Sequence, residues 1–186
     1  MEQAVVSRIA VTRNQAKVSV PGVPNQPGIA RHILGAVAGA RIDADMVVQN
    51  VGKDGKTDLS FTVHRSDCAR TVELLRDQVL PALGAREVVG DAGVCKVSIV
   101  GTCMHRHVGV ASKMFGTLRE GGIQAQMISA CETQASVVID EKQMELAVRS
   151  LCEAFALDPQ AAGIDSEMRH NSGIGNVTEW PKVLPC

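Results

Sequence analysis

Aromatic side chains are nearly missing from this sequence: three Phe, one Trp and no Tyr among 186 residues. Platforms that stack single-stranded nucleic acid need rings on a sheet surface, and Phe61, Phe115 and Phe155 are scattered at core-like positions instead. No excess of either charge exists, since 19 basic and 20 acidic residues leave a net charge of −1. That excludes the polybasic footprint of a generic nucleic-acid or membrane-surface binder. Long apolar runs are missing as well, broken by Gly, Lys or Asp far below the roughly 20 residues that cross a bilayer. The opening Met-Glu-Gln has no basic n-region or cleavage pattern. Six cysteines, Cys68, Cys95, Cys103, Cys131, Cys152 and Cys186, contain no C-x-x-C pair. The expectation is a cytoplasmic chain with reduced, mostly buried thiols and no nucleic-acid or membrane partner.

What is present is enough apolar content for a core, at 45% hydrophobic against 21% charged, and an internal repeat. Val18-Ser19-Val20-Pro21-Gly22 answers Val97-Ser98-Ile99-Val100-Gly101, and Pro27-Gly28-Ile29-Ala30 answers Val108-Gly109-Val110-Ala111. An offset of 81 then carries Gly35 to Gly116, Ile42 to Ile123 and Met46 to Met127. It becomes 76 for Ser60 and Ser136, Val63 and Ile139, and Leu75 and Leu151, because the first copy has the longer turn. A repeat of this length points to two similar units.

Each copy has the same rhythm. A β-branched run (17 to 23, then 95 to 101) enters a Gly-containing loop, and Ile29, Ile33 and Val37, like Val110, Met114 and Leu118, then fall at helical spacing. The apolar stretch from Ile42 to Val51, the turn Gly52-Lys53-Asp54-Gly55 and the run from Asp58 to Val63 predict a hairpin. A second helix, about Ser66 to Leu80, and a closing strand, Ala85 to Val89, complete a β-α-β-β-α-β order. The second copy has its second helix at about Glu141 to Phe155, and no convincing closing strand follows. Val5 to Val11 is free to supply it. The first unit, residues 16–92, is then an insertion within a second made of 5–12 and 93–157, and 158–186 is an irregular or mobile tail anchored by Trp180.

Two ferredoxin-like βαββαβ units of α+β class, with Pro-Gly at the first strand-to-helix loop, resemble a tandem pair of ACT domains, the small-molecule sensors of amino-acid metabolism. The local strings narrow the resemblance. Arg8-Ile9-Ala10, Asn14-Gln15-Ala16-Lys17-Val18, Pro24-Asn25-Gln26-Pro27-Gly28-Ile29-Ala30 and Asp45-Met46-Val47-Val48-Gln49-Asn50 resemble the regulatory region of aspartate kinase. Thr57-Asp58-Leu59-Ser60-Phe61-Thr62-Val63, Lys96-Val97-Ser98-Ile99-Val100-Gly101, Met127-Ile128-Ser129 and Ser136-Val137-Val138-Ile139-Asp140-Glu141-Lys142 continue it in order. The resemblance implies a chain that starts where the separately translated regulatory (beta) subunit of that family starts. Nothing resembles the family's Lys-Phe-Gly-Gly-Thr-Ser nucleotide segment, so the expectation is a chain that is not catalytic alone and needs no cofactor.

The resemblance implies an effector, threonine, lysine or a related small amino acid, bound between ACT units of a homodimer that pairs with a catalytic aspartate kinase subunit. The expected site joins Asn25, Pro27, Gly28, Ile29, Ala30 and Gln49 to Gly122, Gln124 and Ala125 of the partner face. Backbone N–H groups after Gly28 would receive a carboxylate at a helix N-terminus, and Asn25 and Gln49 would hold the ammonium or a hydroxyl. A second possible site comprises Asp45, Met104, His107, Val108, Gly109, Val110 and Cys131. The family usually has Asp at Asn25 and an Asn-x-Asn pair near Gln124, so these departures imply an altered or weakened response to threonine and lysine.

A competing reading is a stand-alone diverged ACT protein in which Cys103, His105, His107 and Cys131 hold zinc, iron or haem, or in which Cys131 acts as a thiolate beside His107. Alternating loop positions seldom converge on one ion, and the expected metal ligand set is none. His32 and His64 read as surface or satisfied groups, Asp43 as a solvated carboxylate, and Met46, Met104, Met114, Met127 and Met144 as packing.

Overall fold

A computed structural model describes residues 6–102, 109–158 and, as backbone, 162–165. Its elements run β1 (Val6–Pro24), α1 (Ile29–Gly39), β2 (Val47–Val51), β3 (Lys56–His64), α2 (Cys68–Gln78), α3 (Leu80–Leu83), β4 (Val89–Gly101), α4 (Gly109–Glu120), β5 (Met127–Ala130), β6 (Gln134–Asp140), α5 (Met144–Ala154) and β7 (Ala162–Asp165). Single 3-10 turns, Arg65–Asp67 and Glu141–Gln143, lead into α2 and α5.

The repeat spacing becomes two cores. Ile29, Ile33 and Val37 of α1 and Val72 and Leu75 of α2 pack on Val18, Val20, Leu59 and Phe61. Val110, Met114 and Leu118 of α4 and Ala147 and Leu151 of α5 pack on Ile9, Val11, Val97, Ile99, Val137 and Ile139. Each fully buried aliphatic chain contributes about 1.5–3 kcal/mol. Helix α2 lies so close to β4 that a Cβ on Gly90 would meet Val72 Cγ2 at 2.8 Å.

One seven-stranded sheet carries both cores, in the order β2-β3-β1-β4-β6-β5, with β7 on β1. The segments Val5 to Val11 and Lys17 to Val23, which read as separate strands, are one strand of 19 residues. Its first half pairs antiparallel with the end of β4, from Val6 and Gly101 to Thr12 and Lys96. Its second half pairs with β3, from Gln15 and His64 to Pro24 and Lys56. The continuity turns on a bulge at Asn14, where Thr12 to Gln15 faces only Lys96 to Val94 and φ is 56°. One extra residue switches the inward parity from Ile9 and Val11 to Ala16, Val18 and Val20, so the helix-covered face is continuous.

The helix-free face closes on itself. Edge strands β2 and β5 touch, and Met46, Val94, Met127 and Val138, with Val48 beside them, form a third cluster. Gln15 is buried here at 1% exposure.

Three local expectations are corrected. The helix from Ser66 to Leu80 breaks after Gln78, because Pro81 opens the short α3 and has no N–H to continue the ladder. The stretch from Ile42 to Val51 is strand only from Val47; Ile42 instead closes α1, its N–H donating to the Val37 carbonyl at 3.2 Å. In the segment expected to be irregular, Ala162–Asp165 is a strand parallel to Ile9–Thr12. It occupies the edge of β1 that β3 covers further along, where unpaired backbone groups accept a partner. Trp180 lies outside the described residues. No described helix is long and apolar enough to cross a membrane.

Candidate functional site

Helix α1 begins without a side-chain cap. Gly28 holds φ 90° at the N-cap, where an L side chain is strained, and nothing lies within 4 Å of its missing Cβ. No acidic residue occupies the first turn. The Ile29 N–H reaches the Gln26 carbonyl at 3.3 Å, and the first helical bond is His32 N–H to the Gly28 carbonyl at 2.9 Å. The positive end of the helix is therefore open at Ala30. Asn25 and Pro27 are exposed, and Asn25 Oδ1 accepts from Thr57 Oγ1 at 3.3 Å. Gln49 projects exposed from β2, opposite Leu59 in the register. Beside the loop a cavity of about 370 Å³ is lined by Gly28, Arg31, His32 and Val79.

Gly122, Gln124 and Ala125 meet in a different place. With Lys17, Gln126, Asp140, Lys142 and Gln143 they line an open groove of about 840 Å³. Gly122 sits at φ 65° just past α4, and the Ile123 N–H donates to the Leu118 carbonyl at 2.8 Å. That helix end swings the following three residues to the groove wall. Gln143 Nε2 donates to the Gly122 carbonyl at 3.2 Å and fixes the rim. Within one chain Gly28 thus lines one cavity, and Gly122, Gln124 and Ala125 line another.

Of the second expected site, Asp45 forms an ion pair with Lys96, Gly109 starts α4 exposed, and Val110 is buried. Met104, His107 and Val108 lie outside the described residues, as do Cys103 and His105. Cys131 is exposed at the turn between β5 and β6, and its thiol is held below its usual range, first by a backbone hydrogen bond from Thr133. Among the described residues no three His, Cys, Asp or Glu come together as ligands. Asp43 and His32 are exposed, while His64 Nδ1 caps its 3-10 turn by accepting the Ser66 N–H at 3.3 Å.

Sequence reasoning missed the cross-unit contacts beside the groove. Lys17 Nζ donates to Gln126 Oε1 at 2.6 Å, and Lys96 reaches Asp45. Lys17 and Lys96 are equivalent in the repeat, as are Gln126 and Asp45, so one clasp appears twice across an internal two-fold. The pairing of equivalents was the signal available in the sequence.

Comparison with known proteins agrees with this architecture. A family model described as ACT domain matches residues 97–155. The aspartokinase of Pseudomonas aeruginosa is 50% identical over 161 residues, 87% of this chain and 39% of that protein. The chain therefore spans well under half the length of such curated relatives. A chain in the crystal structure of aspartokinase alpha and beta subunits is 53% identical with TM-score 0.77, covering 82% of this chain and 100% of that one. The regulatory subunit of aspartate kinase from Thermus flavus is 33% identical with TM-score 0.76, covering 82% and 99% respectively. With two βαββαβ units sharing one sheet and near-complete coverage of solved regulatory chains, this protein belongs to the tandem-ACT regulatory family of aspartate kinase.

Proposed function

We propose that the chain is an amino-acid-sensing regulatory subunit, cytoplasmic and homodimeric, that pairs with a catalytic aspartate kinase subunit and does not phosphorylate aspartate alone. Residues 16–92 and residues 5–12 with 93–157 act as its two sensing units. The observation that carries this is the uncapped start of α1 at Gly28, a ready receptor for a carboxylate. In the homodimer, Asn25, Pro27, Gly28, Ile29, Ala30 and Gln49 of one copy face Gly122, Gln124 and Ala125 of the other. This accounts for Gly28 lining a different cavity from Gly122, Gln124 and Ala125 within a single chain. An effector bridging the copies favours one relative orientation, and the catalytic partner responds to that preference.

The response to threonine and lysine is altered or weak. Asn25 brings no formal charge to an ammonium, and its oxygen is engaged by Thr57. Gln124 is longer than the residue usual in the family and narrows the groove. A buried polar group left without a partner shifts ligand choice strongly.

Thermal-shift screening of the twenty amino acids against the purified chain tests the proposal. A true effector at 100 times its Kd adds about 2.7 kcal/mol of stability, and Gly28→Ala is expected to remove most of that gain. A flat response to every amino acid refutes it.

A further inference from the structure

The two cross-unit clasps differ in charge. Lys96 ends on the Asp45 carboxylate as an ion pair, whereas its equivalent Lys17 ends on the neutral Gln126 amide oxygen at 2.6 Å. Asp91 lies opposite Lys17 in the strand register, but its Oδ1 accepts from the Gly93 N–H at 2.9 Å. Among the described residues Lys17 has no carboxylate in ion-pair contact, and neither does Lys142 across the groove. Asp140, the one acidic group in the lining, already gives Oδ1 to the Lys142 N–H at 2.9 Å. Two lysines against one aspartate leave the groove one net positive charge.

We propose that this groove selects an acidic amino acid, with Lys17 as the residue that receives its side-chain carboxylate. A lysine held only by a neutral amide oxygen gains an ion pair when a carboxylate takes its place. The second carboxylate takes the open N–H groups after Gly28 of the second copy, and Lys142 adds its charge to the lining. The remaining Asp140 oxygen and the amide oxygens of Gln124 and Gln143 accept from the ammonium. A ligand of charge −1 thereby cancels the charge of the lining, while lysine would add to it. The volume of about 840 Å³ exceeds what one amino acid fills, leaving room for the loop of a second copy. The inference rests on the reading of Gly122, Gln124 and Ala125 as effector lining, and names the effector class.

Calorimetric titration of the full chain with L-aspartate, L-asparagine, L-threonine and L-lysine tests it. Aspartate is expected to bind, and asparagine about ten-fold or more weaker. Lys17→Met should weaken aspartate by a similar factor, Lys17→Arg should restore much of the loss, and circular dichroism should confirm that both variants are folded. Raising the salt should weaken aspartate more than threonine. Binding of threonine or lysine without aspartate overturns this inference and leaves the sensor reading intact. Aspartate binding that is indifferent to Lys17→Met overturns the role of Lys17, and silence toward all four ligands overturns the acidic ligand class.

Discussion

Arg65 Nη2 and Glu141 Oε2 lie 2.7 Å apart, and they are the same position of the internal repeat. Each opens the 3-10 turn that leads into its unit's second helix. A residue on an internal two-fold meets its own equivalent, so an unaltered duplication would set like charges face to face. Divergence to Arg and Glu converts that repulsion into a bridge.

Charge reversal reads this relationship directly. Arg65→Glu is expected to cost about 1 kcal/mol, discounted because both side chains are one-third exposed. The swap Arg65→Glu with Glu141→Arg should recover most of it. Urea denaturation of Arg65→Glu, Glu141→Arg and the swap gives the coupling, and equal losses in either single variant and the swap would contradict a pairwise bridge.

Gln15 is the weak point of the helix-free cluster. It is 1% exposed, its Oε1 has no hydrogen-bond partner among the described residues, and the equivalent position in the second unit is Val94. Replacing a buried, unsatisfied amide by an apolar side chain of similar length removes a desolvation penalty of about 1–3 kcal/mol. Gln15→Met should therefore raise the denaturation midpoint, and a lowered midpoint would show that the amide has a partner.

The ends of α1 and α4 offer a matched pair. Arg41 and Gly122 occupy the same left-handed position, at φ 57° and 65°, and Ile42 and Ile123 close both helices the same way. Arg41→Gly is expected to gain up to about 1 kcal/mol, and Gly122→Ala to lose about as much. Melting temperatures moving in opposite directions are the signature to look for.

The thiols should separate by pH. Burial pushes Cys95 up to about 12 from its ordinary 9.0 and raises Cys68 and Cys152 as well, whereas Cys131 is lowered. Near neutral pH, iodoacetamide with peptide mapping should label Cys131 first among these four. A thiol raised in the fold keeps its proton longer than the unfolded chain does. Its contribution to stability is complete below pH 9.0 and declines as the pH climbs toward about 12. Cys95→Val should flatten that alkaline decline, and an unchanged slope would assign it elsewhere.

Much of the fold was legible because the repeat states it twice. Ile29, Ile33 and Val37 and their counterparts Val110, Met114 and Leu118 are all buried, as their helical spacing requires. The continuity of β1 was not legible. Val5 to Val11 and Lys17 to Val23 read as separate strands, yet hydrogen bonds to β4 and β3 hold one strand through Asn14 and Gln15, and the polar Gln15 is buried by a neighbouring unit that local patterning does not reveal. The groove was half legible. Gly122, Gln124 and Ala125 came from the family resemblance, but Lys17 looks like a solvated strand residue until Gln126, far along the chain, is placed against it.

The shared strand makes the two ACT units inseparable. A fragment cut to residues 97–155, the span of the ACT-domain match, omits the β1 segment that pairs along β4 from Gly101 to Lys96. Such a fragment would expose a full row of unpaired amides and tend to aggregate. Any movement of one unit against the other must act through β1, the backbone that both units share from Val6 to Pro24.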